Sequence, residues 1–205
     1  MGHWGVVSTV KAPLSEVVKF VAHHLSMGAQ YFVIYLDQPD ATVLEYFRDD
    51  PDIKVIPTED SHWTTLGHRP KSIEGRQVFN INHAIDHVRD IRPSIQWLAH
   101  FDIDEFIVNH AANLTIAQKL KRIPDDVLSV QIKPIENLIA PNGTLSPIHH
   151  FKALMYPYGR RARLSSEIYP EFGDRIIGGF LSHKNGKSIF RVTNRPVFAR
   201  IHYVS

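Results

Sequence analysis

Every position of the run Tyr31-Phe-Val-Ile-Tyr-Leu36 is apolar or aromatic, and the run ends at Asp37. A strand of that composition has no face to give to water, so it belongs inside a largely parallel sheet covered on both sides. The flanking sequence agrees. Trp4-Gly-Val-Val-Ser-Thr-Val10 reads as a strand before it, and Pro13 opens a segment in which Leu14, Val17, Val18, Val21 and Leu25 recur at helical spacing until Gly28. After it, Val43, Leu44 and Phe47 suggest a short helix and Ile53-Lys-Val-Ile56 a third strand. Ser72 is placed to cap a helix with the stripe Val78, Ile81, Ile85 and Val88, and Ile95-Gln-Trp-Leu-Ala-His-Phe101 is the next strand. This repeated alternation predicts an α/β fold on an open, twisted, mostly parallel sheet flanked by helices.

The second half is less regular. Thr115 and Gln118 form a capping box ahead of Ile116, Leu120 and Ile123, and Val127 to Ile132 is a strand candidate. Asn142-Gly143 and Asn185-Gly186 are hairpin turn signals, the second joining Gly179-Phe-Leu-Ser-His183 to Lys187-Ser-Ile-Phe-Arg-Val192. Without internal repeats or a Gly/Ser linker, residues 1–205 are expected to form one domain, late hairpins included. The chain stops directly after the strand-like Val197 to Tyr203, which leaves a continuation beyond Ser205 open.

Composition removes several function classes. A formal charge of +2 lacks the basic footprint of a nucleic-acid binder. The absence of cysteine excludes disulfides, thiolate metal sites and a cysteine nucleophile. No apolar stretch approaches the ~20 residues of a membrane span, and no export signal opens the chain, so a cytoplasmic location is expected, with any membrane contact peripheral. There is no Gly-X-Ser-X-Gly elbow, Walker A loop or Gly-X-Gly-X-X-Gly fingerprint.

The chemistry concentrates in Trp97-Leu-Ala-His-Phe-Asp102-Ile-Asp104-Glu105-Phe106. Its carboxylates follow directly on a hydrophobic strand, where open α/β sheets bind their ligands. Strand alternation puts Asp102 and Asp104 on one side, so both can approach a single hard divalent ion. The alternative is structural: Asp102 and Glu105 cap the following turn and Asp104 is solvated.

This segment resembles the Trp-hydrophobic-hydrophobic-X-X-Asp-X-Asp-Glu-Phe stretch of family 2-like glycosyltransferases, which have the GT-A fold. Two further stretches are similar in the same order. Val10-Lys11-Ala12 followed by Phe20-Val-Ala-His-His-Leu-Ser-Met-Gly28 resembles the opening of that family, and Tyr31 to Asp37 its second strand. Gly75-Arg-Gln-Val-Phe-Asn-Ile-Asn82 is similar to the Arg-Gln helix ahead of the acidic strand. The resemblance covers residues 4 to about 110 and implies a nucleotide-binding half there, with an acceptor-side half over about 111–205.

What the resemblance implies is a nucleoside-diphosphate sugar donor, Mn2+ or Mg2+, and transfer of a glycosyl group to a glycan, lipid or protein acceptor. Asp102 and Asp104 would hold the ion against the donor diphosphate, neutralising the leaving group. Val10, Lys11 and Asp37 fall where the family cradles base and ribose, and Arg76 and Gln77 are within reach of the same crevice. Downstream, Phe172-Gly-Asp174, the segment His183 to Arg191 and Ile201-His202 resemble the family's tail. His202 is thereby a candidate third metal ligand, and Lys187 or Arg191 a phosphate partner. The adjacent His23 and His24 point about 100° apart on a helix and read as structural.

Two departures put the donor's identity in question. Lys11-Ala-Pro13 lacks the acid usual after the family's Lys-Asn, and Leu36-Asp37-Gln-Pro-Asp40-Ala-Thr42 replaces its more common loop. Asp40 either substitutes for a missing loop group or caps the helix beginning near Ala41. An inverting transfer also needs a carboxylate base for the acceptor hydroxyl, and Glu171 and Asp174, in a turn-rich segment, rank first.

The leading reading is therefore a metal-dependent glycosyltransferase, set by family analogy in surface polysaccharide or glycoconjugate assembly. A sugar nucleotidyltransferase would use a related sheet, but the turn after the first strand lacks a Gly-rich basic loop. The remaining alternative is a non-catalytic nucleotide-binding or scaffolding module.

Overall fold

The computed structural model describes residues 2–110, 113–137, 151–153, 161–173, 175–176, 180, 185–194 and 198–202. In chain order the elements are β1 (Trp4–Val10), α1 (Leu14–Ser26), β2 (Phe32–Leu36), α2 (Ala41–Tyr46), β3 (Ile53–Pro57), a 3-10 helix (Asp60–Leu66), α3 (Ile73–Ile91), β4 (Trp97–His100), α4 (Ile116–Lys121), β5 (Ser129–Ile132), β6 (Ile135–Asn137), β7 (Phe151–Ala153), α5 (Arg161–Ile168) and β8 (Lys187–Arg191). They fall into two compact units, Met1–Gln131 with Ser188–Ser205, and Ile132–Lys187.

The first unit is built on a six-stranded sheet in the order β3-β2-β1-β4-β8-β5. β1 pairs in parallel with β2 and β4, β2 pairs in parallel with β3, and β8 runs antiparallel to β4. The α/β class expected from the sequence, a mostly parallel sheet with helices packed on it, is what the chain forms. Every residue of β1 and β2 is buried, as their composition requires. A Cβ at Gly5 would stand 2.7 Å from the Tyr31 carbonyl oxygen, so this strand crossing admits no side chain there.

The helices follow from local signals. Pro13 precedes α1, and Gly28, at φ 92°, ends its course with the left-handed residue that favours glycine. The buried face of α1 is Val17, Phe20, Val21 and His24, whereas Leu25, read as part of the stripe, is exposed. The i, i+3, i+4, i+7 seat is taken by a histidine, which hydropathy alone does not select. Ser72 caps α3 by accepting the Gly75 N–H, and Ile81, Ala84, Ile85 and Val88 pack against Val7, Val33, Tyr35, Leu98 and Phe190. The Thr115–Gln118 capping box forms as expected.

Some local structure departs from the sequence reading. The 3-10 helix has one buried anchor, Trp63, in a stretch polar but for the exposed Leu66, and leaves no periodic trace. The expected strand from Val197 to Tyr203 is, among the described residues, a single bridge at Ala199. There the Asn82 side chain on α3 bonds both the Ala199 N–H at 2.9 Å and its carbonyl at 3.0 Å.

In the second unit β6 and β7 pair antiparallel, with Glu136 opposite Lys152 and an ion pair between them at 2.5 Å. The turn following α5 bonds back to it through the Tyr169 N–H and Ser165 carbonyl at 2.8 Å. The Asn142-Gly143 turn and residues 181–184 lie outside the described residues. Among the described residues no helix is long and apolar enough to cross a membrane.

Candidate functional site

The chain lays β1, β2 and β3 outward on one side, then crosses through α3 to place β4 on the other side of β1. Such a reversal opens a crevice beyond the carboxyl ends of the strands. Val10 closes β1 there, Asp37 follows β2, and Asp102 lies two residues after β4. α3 is held in register over this point by buried Asn80, whose Nδ2 donates to Thr9 Oγ1 at 2.9 Å while its Oδ1 meets His62 Nε2 at 2.8 Å.

Consecutive residues in the first turns of α3 each hold one of the acids. Arg76 donates from Nε to Asp37 Oδ1 at 2.6 Å and from Nη2 to Oδ2 at 3.1 Å, while its Nη1 satisfies the Pro70 and Lys71 carbonyls. Arg69 adds a bond to Asp37 Oδ1 at 2.9 Å and another to its carbonyl at 2.7 Å. Asp37 is only 10% exposed, and among the described residues three of the about four lone-pair positions on its carboxylate are used, two on Oδ1 and one on Oδ2. Gln77 Nε2 donates to Asp102 Oδ1 at 2.6 Å. Arg69 carried no motif, and nothing in the local pattern marks it.

The acidic turn is closed on itself. The Asp102 N–H donates to Glu105 Oε2 at 3.0 Å, and the Glu105 N–H donates to the Asp102 carbonyl at 3.0 Å. Ser8 Oγ, from β1, holds the Phe101 carbonyl at 2.8 Å. Glu105 thus caps the turn, Asp102 is half-buried, and Asp104 is exposed. As oxygen donors beyond a strand end, Asp102 and Asp104 fit a hard divalent ion in their chemistry.

α1 lies against the same turn. His23 Nε2 is 2.8 Å from the Ile107 carbonyl, and the buried His24 ring stacks on Phe101 at 5.0 Å. His24 is held neutral: burial lowers its pKa to about 4, with the positive side of His23 adding to the effect and the bond to the Phe20 carbonyl opposing it. The pair is structural, as its sequence reads, and what it packs against is the acidic turn.

Between the ends of β1 and β2 opens a cavity of about 240 Å³, lined by Val10, Lys11 and Pro13 on one side and Leu36, Gln38 and Asp40 on the other. Lys11 is exposed at its wall. Asp40 caps α2 by accepting the Thr42 N–H at 2.8 Å and the Val43 N–H at 3.4 Å, so its structural reading holds.

The remaining residues singled out in the sequence stand elsewhere. Among the described residues no three His, Asp or Glu side chains gather around one point, so His202, half-buried in a bend, does not join Asp102 and Asp104 as a preformed triad. Arg191, singled out as a phosphate partner, lies away from the strand ends that carry the acids. Because β8 runs antiparallel to β4, Arg191 pairs with Trp97 at the opposite end of the strand, stacks over its indole at 4.2 Å and bonds the carbonyls of Ile123, Pro124 and Val127. Glu171 is an exposed residue of the second unit, and Asp174 lies outside the described residues.

The model of glycosyltransferase family 92 matches residues 7–204. No curated protein sequence matches the chain. Among solved structures it is similar to a 4-diphosphocytidyl-2C-methyl-D-erythritol synthase, at 9% identity over 75% of this chain and 73% of that one, with a TM-score of 0.34.

Proposed function

The chain belongs to glycosyltransferase family 92, and from that premise we propose that it moves a hexosyl group from a nucleoside-diphosphate sugar to a hydroxyl acceptor, with inversion, using a divalent ion held by Asp102 and Asp104. The family supports glycosyl transfer as such; the family 2-like segments of the sequence add the donor and metal reading.

The observation that carries the proposal is the pairing of Arg76 with Asp37 and of Gln77 with Asp102, on the strands either side of β1. Asp37, fixed by two guanidinium groups, offers one remaining acceptor position to a base N–H or ribose hydroxyl. Lys11, at the wall of the adjoining cavity, is suited to the charge of a donor phosphate. Gln77 orients the Asp102 carboxylate, and Glu105 holds the backbone that carries it. A Mn2+ or Mg2+ ion bound there would supply Lewis-acid neutralisation of the departing nucleoside diphosphate. The reading does not depend on His202.

For the acceptor proton we retain Glu171 and Asp174 as candidate bases, each to be identified by loss of transfer with nucleotide binding kept. The acceptor is a glycan, lipid or protein hydroxyl, with surface polysaccharide or glycoconjugate assembly as the setting. The test is a thermal-shift screen of nucleoside diphosphates and nucleotide sugars with and without Mn2+, on wild type and Asp102→Asn. A shift that needs both Mn2+ and Asp102 supports the reading. A nucleotide shift indifferent to Mn2+ and to Asp102 removes it.

A further inference from the structure

Neighbouring residues on a helix diverge by about 100°, so a histidine pair is not expected to serve one target. In α1 both serve the acidic turn. His23 Nε2 is 2.8 Å from the Ile107 carbonyl, and its ring stands edge-on to Phe106 at 5.1 Å and 85°. His24, fully buried, stacks on Phe101 at 5.0 Å and 23° and lies near-parallel to Phe106 at 6.1 Å and 14°. Phe101 precedes Asp102, while Phe106 and Ile107 follow Glu105. One helix therefore grips the turn at both ends, through the residues that flank its carboxylates.

Packing alone does not account for His24. Its Nε2 is buried with no hydrogen-bond partner among the described residues, a cost that an aromatic hydrocarbon of similar shape would not carry. What the imidazole adds is a fixed plane. Its Nδ1 donates to the Phe20 carbonyl at 2.8 Å, which locks the ring rotation against which Phe101 and Phe106 are set. His23 complements it with a hydrogen bond to the backbone on the far side of the turn.

We propose that His23 and His24 are positioning residues for Asp102 and Asp104: by fixing both ends of the turn they set the relation of the two carboxylates and hence the affinity for a divalent ion. This rests on the metal-binding reading of the acidic turn given above.

The test is Mn2+ binding by calorimetry on the full chain, with a melting temperature for each variant. His23→Ala, at a half-buried position, should melt close to wild type and bind Mn2+ about tenfold more weakly, the usual scale for losing a group that orients a ligand. His23→Gln, whose amide N–H reaches a carbonyl in the same direction, should restore most of the affinity. His24→Phe is close in shape, larger by one ring atom, and removes the buried unmet nitrogen, so its melting temperature should stay near wild type while Mn2+ affinity falls. Wild-type affinity in both His23→Ala and His24→Phe, with binding lost in Asp102→Asn, overturns the positioning role and leaves the metal site standing. A loss in His23→Ala that tracks its melting temperature and is not restored by His23→Gln also overturns it. Wild-type Mn2+ affinity in Asp102→Asn removes the metal reading and this proposal together.

Discussion

Gln77 donates a 2.6 Å hydrogen bond to the Asp102 carboxylate, joining the second turn of α3 to the acidic turn beyond β4. Gln77 is itself 8% exposed, so the bond is sheltered from competing water. Gln77→Leu should leave the fold intact and weaken Mn2+ about tenfold, since the carboxylate loses the group that orients it. Asp102→Asn should abolish Mn2+ binding outright. Calorimetric titration of both variants checks the order; equal affinities for Gln77→Leu and wild type would detach Gln77 from the site.

Arg76→Lys keeps the charge beside Asp37 and loses the two-pronged contact. The pair is mostly sheltered, with side chains 14% and 10% exposed, so a loss of about 1–2 kcal/mol in stability is expected, short of unfolding. Nucleoside-diphosphate affinity should fall about tenfold as Asp37 loses its fixed orientation. Denaturant melts and a nucleotide titration, with and without Mn2+, separate the two effects.

Trp97 is 1% exposed at the start of β4 and carries the Arg191 guanidinium 4.2 Å above its ring. Trp97→Ala should cost roughly 3–5 kcal/mol through the cavity it leaves. Nucleotide preference in whatever fraction stays folded should be unchanged, because the indole lies at the amino end of the strand. A stable variant with altered preference would place Trp97 in the binding site.

His24 makes stability depend on pH in a defined window. Its folded pKa of about 4 lies below the ordinary histidine value of 6.5, so the unfolded chain takes up the proton first. The stabilisation is fully present above pH 6.5 and drains away as pH falls toward 4, by about 3 kcal/mol at the lower limit. His83 and His87, also lowered by burial, act in the same direction, so the comparison must be between wild type and His24→Phe. Urea unfolding at pH 7.5 and pH 4.5 should show the wild type losing more stability than the variant, and equal losses would refute the assignment.

His202→Ala should bind Mn2+ within about twofold of wild type, because no triad with Asp102 and Asp104 is preformed. A drop of tenfold or more would mean that the segment after Ala199 rearranges to complete the metal site.

The elements legible in the sequence are those whose own residues specify them. β1 and β2 are unbroken apolar runs, α3 has a serine cap and a stripe, and α4 has a reciprocal capping box. The 3-10 helix and α5 lack such marks: one is polar around Trp63, and the other, Arg-Ala-Arg-Leu-Ser-Ser-Glu-Ile, has too few apolar positions for a stripe. Residue types at the site were legible too, since Asp37, Arg76, Gln77 and Asp102 all sit in recognisable segments. Their partnerships were not. Arg76 and Asp37 are 39 positions apart and Gln77 and Asp102 are 25, so only the crossing of α3 over the strand ends decides which acid each one meets. His24 was obscured for a different reason: Leu25 beside it is the stronger hydrophobe, yet the buried seat is one residue earlier.

The adjacency of Arg76 and Gln77 also fixes where this chain can change length. One residue inserted between the Ser72 cap and Gln77 would turn the rest of α3 by about 100° and carry both side chains off their acids in a single step. The constraint is looser just upstream, where Arg69 reaches Asp37 from a loop that helix phase does not fix. Gly67 closes the 3-10 helix at φ 72° with nothing within 4 Å of where a Cβ would stand, and its neighbours are exposed. Insertions and deletions are therefore better tolerated at Gly67 than five residues later, a boundary that random insertion mutagenesis of the gene should draw.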